Sequence, residues 1–203
     1  MANVERCGWC GSDPDYVAYH DTEWGRPEWR SLALFEKLCL EGQQAGLAWI
    51  TILRKRANYR AAYDQFDPHK IALYDEVKIE QLLQNSGIVR HRLKVQSIIK
   101  NAQSYLALKS QGIDFSEFIW AFVDHQPRLN QPQSMADISA TTTESMAMSR
   151  ALKKAGFSFV GPTITYAFMQ SCGLVNDHLL HCACRLACAQ EAAVKPRGIR
   201  TTG

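Results

Sequence analysis

The sequence predicts an all-α fold built as a single domain. Apolar residues recur three and four apart through most of residues 31 to 188, and the Val/Ile/Thr alternations that mark strands are few. The 203-residue length, with 46% hydrophobic residues, lets the chain bury one sizeable core without splitting in two. The first helix is expected over SLALFEKLCLEGQQAG, from Ser31 to Gly46. AWITILRKRANYRAAYDQF, RLKVQSIIKNAQSYLAL and DFSEFIWAFV follow with the same period, and TESMAMSRALKKAG and PTITYAFMQSCGL complete the set. Pro68, Pro127, Pro132, Pro162 and several glycines separate them, because proline lacks the amide that continues a helix. There is no internal repeat. The domain is expected over residues 1–188, and past Cys188 the segment AQEAAVKPRGIRTTG loses the apolar period, so 189–203 is expected to be a flexible basic tail.

No run of about 18 apolar residues is long enough to span a bilayer, and MANVERCGWC lacks the basic start and apolar stretch of a secretory signal. A soluble, cytoplasmic protein with no membrane partner is expected. In that compartment the seven cysteines stay reduced, and an odd number cannot all pair internally, so metal ligation or core packing is favoured over a disulfide frame. The net charge of +3 permits a nucleic-acid partner without requiring one.

Three constellations carry chemistry. Leu34, Leu38, Glu41 and Ala45 share one helix face, which puts a carboxylate where a core residue is expected. Glu41 either turns to water at the edge of the stripe or is held inside a cleft. His178 and Cys182 lie four apart, the helical spacing that points two ligands the same way, and Cys7, Cys10 and His20 can supply the rest of a tetrahedral zinc site. Such an ion would clamp the first twenty residues to the last helix; the alternative is that these cysteines are small buried hydrophobes. A thioredoxin-like use of Cys7 and Cys10 needs a βαβ context that is missing. Finally, ALKKAGFSFVGPT reads as helix, short turn, helix, with Gly156 as a left-handed cap and Pro162 restarting the chain. That turn leaves the amides of Phe159, Val160 and Gly161 able to bind a phosphate, or it is an ordinary αα-hairpin. Arg54, Lys55, Arg56 and Arg90, Arg92, Lys94 form two further basic clusters that suit phosphates or a solvated face.

Taken together, RCGW, YVAYHDTEWG, LFEKLCLEGQQAGLAWITILRKRANYR, SGIVRHRLKVQSII, GFSFVGPT and CGLVNDH resemble the 3-methyladenine DNA glycosylase I family, bacterial repair enzymes of the helix-hairpin-helix glycosylase superfamily. The resemblance runs from about Arg6 to about Cys184. It implies a helix-hairpin-helix at about 145–175, hydrolytic removal of N3-methyladenine from double-stranded alkylated DNA, and hand-over of the abasic site to downstream repair enzymes by a monomer working at the nucleoid. It also implies structural Zn2+ on Cys7, His20, His178 and Cys182, with Cys10 a bystander. The base pocket it implies consists of Trp9, Tyr16, Tyr19, Glu41 and Trp49, with Glu41 as the catalytic carboxylate. Leu47, beside Gly46, is expected to fill the gap left by the flipped base. Phe159, Val160 and Gly161 are expected at the DNA.

Many members of that superfamily place an Asp where VNDH has Asn176, and Asp177 is out of register. Thr163 stands where a Schiff-base Lys would be, so a monofunctional glycosylase is expected. Two rivals are a non-catalytic damage sensor, which the retained Glu41 disfavours, and a zinc hydrolase, which four protein ligands disfavour.

Overall fold

A strong start signal opens the first helix: Asp13 accepts hydrogen bonds from the amides of Asp15 and Tyr16, and Pro14 takes the first helical position, giving α1 (Pro14–Thr22). The computed structural model describes residues 4–193. Nine further α-helices follow among the described residues. These are α2 (Ser31–Gln44), α3 (Trp49–Ala62), α4 (Pro68–Ile71), α5 (Glu76–Gln84), α6 (Arg92–Ser110), α7 (Phe115–Trp120), α8 (Thr143–Lys154), α9 (Pro162–Ser171) and α10 (Cys184–Ala192). The six expected helices are α2, α3, α6, α7, α8 and α9, each somewhat shorter or longer at its ends.

The α3 segment stops at Ala62 and not at Phe66, because Asp64, Gln65 and Phe66 all take left-handed backbone angles. Helices α1, α4, α5 and α10 are additions. Asp67 and Asp75 cap α4 and α5 as Asp13 caps α1. Helix α10 continues four residues past the expected boundary at 188, and the rest of the expected tail, 194–203, lies outside the described residues.

Helix α2 is the axis of the core. Leu34, Phe35 and Leu38 are wholly buried, and the helix packs against α3, α6, α7 and α9. Burying each such side chain contributes roughly 1.5–3 kcal/mol. Gly42 lets the α8–α9 turn approach, since a Cβ there would lie 3.1 Å from Phe159 Cβ. Two short parallel strands, β1 (Arg128–Leu129) and β2 (Val175–Asn176), pair Arg128 with Val175 and Leu129 with Asn176. They tie the loop before α8 to the loop before α10. No helix among the described residues is long and apolar enough to cross a membrane.

The α8–α9 turn closes as expected. Gly156 has φ +97°, its amide bonds Lys153 O, and the Phe157 amide bonds Leu152 O, the paired bonds of a Schellman cap. Asn101, from α6, then holds the turn by pairing both backbone groups of Ser158, at 2.7 and 3.2 Å.

Candidate active site

Four segments converge on one cavity of about 320 Å³. The turn after Cys7 supplies Trp9, α1 supplies Tyr16 and Tyr19, α2 supplies Glu41, and α3 supplies Trp49. All five expected pocket residues therefore line the same space. The rings meet edge to face: Trp9 lies 5.2 Å from Tyr16 and 5.1 Å from Trp24 between centroids, at 72° and 63°. Tyr19 and Trp49 lean together at 5.5 Å. Such mutual packing fixes each ring without help from a ligand. The indole N–H groups of Trp9 and Trp49 are both buried without a protein partner among the described residues.

Glu41 is 4% exposed and turns inward, so the cleft alternative holds. Burial raises its pKa from 4.5 to about 7, with the Ser171 hydroxyl and the Lys37 ammonium opposing the shift. A carboxylate of that kind is poised between its two forms near neutral pH.

Beside the aromatic wall, Cys7, His20, His178 and Cys182 bring one ligand atom each within 4.8 Å of one another, all four buried. With zinc bonds of about 2.3 Å to sulfur and 2.0–2.1 Å to nitrogen, the S···N edge of a tetrahedron is roughly 3.5–3.6 Å. The protein shows 3.6 Å for Cys7 to His178, 3.4 Å for Cys182 to His178 and 3.5 Å for Cys182 to His20. Each imidazole is also tied by its other nitrogen, His20 Nδ1 to the Asp21 carboxylate at 2.7 Å and His178 Nε2 to Trp24 O at 3.1 Å. That outer ring of partners is what orients histidines toward a metal. Hydrogen bonds from Cys7, His178 and His20 hold the Cys182 thiol well below its usual range, toward the thiolate a metal needs. The donor set fits a tetrahedral ion of zinc's size.

The expected helical placement of two of these ligands is corrected. His178 and Cys182 do not sit on a helix: residues 177–183 form a loop ahead of α10, and a turn with Cys182 N bonded to Leu179 O at 2.8 Å brings the two together. The clamp joins the N-terminal segment to this loop. Cys10 stays outside the cluster, its thiol donating to Cys7 O at 3.2 Å, and His181 is exposed. Cys184 approaches only Asp21 and the Asp21-bonded nitrogen of His20. Replacing Cys10 with Ala is expected to leave one metal ion per chain, measured by metal analysis; a fall in stoichiometry would reassign the ligands.

The loop between α2 and α3 stands at the edge of the cavity. Gly46 has φ +75°, and Leu47 is 37% exposed. Lys94 sets this loop from below: its ammonium donates to Gln43 O at 2.8 Å and Ala45 O at 2.7 Å, capping the C-terminus of α2. It is buried, so neither expected use, a phosphate contact or a solvated face, holds for it. Most of the other basic residues in those clusters have internal partners: Arg54 bonds Asp13 and Asp15, Arg56 bonds Glu23, Lys55 bonds Ser86 O, and Arg92 bonds Glu76 and Glu80. By contrast, the amides of Phe159, Val160 and Gly161 make no internal hydrogen bond among the described residues, while the Val160 carbonyl accepts from Ser149 and Thr165. Arg150, Lys153 and Lys154 are exposed nearby.

The sequence reading missed several lining residues: Trp24, Gln44, Tyr166 and Gln170, with Met135 and Ile138 from the loop before α8. Tyr166 and Gln170 carried a usable signal, being polar and four apart on a largely apolar helix. The loop residues carried none.

Flat aromatic faces around one buried carboxylate suit an electron-poor ring, and unpaired amides on a basic turn suit a phosphate backbone. Both needs meet in the DNA base glycosylases as a class. The model of one such family, methyladenine glycosylase, matches residues 9–185. The DNA-3-methyladenine glycosylase 1 of Escherichia coli K12 is 56% identical over 181 residues, covering 89% of this chain and 97% of that one. A crystal structure of 3-methyladenine DNA glycosylase I superposes with a TM-score of 0.88 at 57% identity, over 89% of this chain and 99% of that one. The Staphylococcus aureus enzyme, solved to show how 3-methyladenine is recognised, gives 0.86 at 37% identity, over 89% and 96%. The chain belongs to the methyladenine glycosylase family.

Proposed function

We propose that the chain is a monofunctional glycosylase that flips N3-methyladenine out of alkylated duplex DNA and hydrolyses its N-glycosidic bond. The observation that carries this reading is the cavity itself, in which the carboxylate of Glu41 is buried among Trp9, Tyr16, Tyr19 and Trp49. While attached to the sugar, the methylated base is a cation. Electron-rich ring faces attract it by about 0.5–2 kcal/mol each, and an unmethylated base gains no such term. The anion of Glu41 accepts from the exocyclic amine and stabilises the charge. The orphaned indole donors of Trp9 and Trp49 are then placed for ring nitrogens or for ordered water.

The bond from C1′ to the base breaks with its electron pair going to the base, which leaves neutral. Water adds to the oxocarbenium-like sugar and gives up a proton. Since the leaving group is already activated by its charge, extrusion, positioning and electrostatics supply most of the rate. Where a lysine would trap the sugar, the chain has Thr163, which lines the cavity. We read α8, its turn and α9 as a helix-hairpin-helix whose Phe159, Val160 and Gly161 amides take a backbone phosphate. Leu47, on its Lys94-braced loop, fills the gap in the duplex. Zn2+ held by Cys7, His20, His178 and Cys182 would act as a structural clamp, since four protein ligands leave no place for a reacting water. The clamp sets Trp9, two residues from Cys7, against the pocket.

The test is a methylated duplex treated with the protein. Alkali-labile abasic sites are expected, without strand breaks before alkali, and Leu47→Ala is expected to form fewer of them on duplex while keeping activity on single strands. Breaks without alkali would contradict the monofunctional reading, and an unimpaired Leu47→Ala would remove the wedge.

A further inference from the structure

The carboxylate of Asp177 has no part in the chemistry above; it lies behind the α9 wall of that cavity and lines a neighbouring pocket with Asn130, Ile138 and Tyr166. It follows β2, is 2% exposed, and accepts three hydrogen bonds: from Tyr166 Oη at 2.6 Å, Gln170 Nε2 at 2.8 Å and Asn130 Nδ2 at 2.6 Å. All three donors are neutral. Tyr166 and Gln170 lie four apart on α9, so they share a face, and both line the base cavity. One buried carboxylate thus gathers the polar hydrogens of two pocket residues from behind.

We propose that Asp177 is a positioning residue for base selection, holding the Tyr166 hydroxyl and the Gln170 amino group away from the base. The α9 side of the cavity then offers a ring face and the amide oxygen of Gln170. This rests on the reading of the cavity as a 3-methyladenine site. An unmodified purine brings ring nitrogens with free lone pairs, and these bind where N–H and O–H groups face them. Methylation at N3 removes the lone pair at that position, so a wall there with its donors withdrawn favours the lesion over the normal base; the pair that free 3-methyladenine gains is at N9, where the sugar is attached in DNA. Selectivity that depends on hydrogen-bond polarity is larger than a methyl-sized fit alone provides.

The experiment compares wild type with Asp177→Asn, Tyr166→Phe and the double variant. Asparagine keeps the shape of the side chain, but its amino group opposes those of Gln170 and Asn130, so a donor must turn away. Zinc content is measured first, because His178 is the next residue. Free 3-methyladenine and free adenine are then titrated against the fluorescence of the pocket tryptophans. In zinc-replete Asp177→Asn the preference for 3-methyladenine over adenine is expected to shrink by about 10-fold. Adding Tyr166→Phe deletes one of the donors that Asp177→Asn sets free, so the double variant is expected to recover part of the preference. An unchanged preference in zinc-replete Asp177→Asn, or a double variant that recovers none of the loss, would overturn the proposal. If Asp177→Asn does not fold, Asp177→Ser replaces it, with the same loss expected, and an unchanged preference there overturns the proposal. A wild type that binds neither base overturns the reading of the cavity itself, a failure distinct from that of Asp177.

Discussion

Glu41→Gln is expected to give a protein that is more stable than the wild type at pH 8 and nearly inactive. Burial lifts the Glu41 pKa from 4.5 to about 7 in the folded chain. Between those two values the folded protein keeps a proton that the unfolded chain has lost, so stability falls as pH rises through this window and levels off above 7. The folded anion is therefore disfavoured by about 3 kcal/mol at pH 8. Glutamine keeps the shape and has no proton to lose. The variant should thus gain up to about 3 kcal/mol at pH 8, a rise in Tm on the order of 10 °C, and nothing at pH 4. Base release should fall by about 100- to 1,000-fold, the usual loss when a positioned electrostatic partner is removed. Thermal melts of both proteins at pH 4 and pH 8 check the stability arm. Equal melting temperatures at pH 8 would mean that Glu41 is not strained by its burial.

This trade-off explains why Glu41 was legible in the sequence. A carboxylate on the stripe of Leu34 and Leu38 breaks the local pattern, and functional sites are where such breaks occur. Six helices were legible for the complementary reason, since their apolar faces all point to one core. Helix α1 was not. Its buried residues, Tyr19 and His20, face the pocket and the metal cluster, so it has no apolar stripe, and only Asp13 and Pro14 announced it. The two strands are too short for any alternation to register.

Lys94 shows the limit of reading charge. Beside Arg90 and Arg92 it read as part of an exposed basic cluster, facing phosphates or solvent, whereas it is buried and holds the end of α2. Asp177 shows the limit of reading register. Its side chain matters through Tyr166, Gln170 and Asn130, which lie 7 to 47 residues away. The pair His178 and Cys182 was chosen for a helical spacing that a loop turn happens to reproduce.

The second large effect is expected at the metal cluster. His178→Ala or Cys182→Ala should abolish tight metal binding, and a strong chelator should do the same to the wild type. An ion present at 1,000 times its Kd stabilises the folded state by about 4 kcal/mol, and that stabilisation is lost with it. The consequence should reach the pocket, because Cys7 and His20 flank the segment that carries Trp9, Tyr16 and Tyr19. Base binding should therefore fall along with Tm, and restoring zinc to the chelated wild type should recover both. A protein purified without metal that binds 3-methyladenine fully, and ignores the chelator, would show the cluster to be four packed side chains and nothing more.

The most direct measurement is chromatography of the bases released from methylated duplex DNA by the zinc-loaded wild type and by Glu41→Gln. The predicted result is a 3-methyladenine peak from the wild type that is almost absent from the folded, zinc-loaded variant. A folded, zinc-loaded wild type that releases no 3-methyladenine would contradict the account, leaving a damage-binding protein on a glycosylase scaffold.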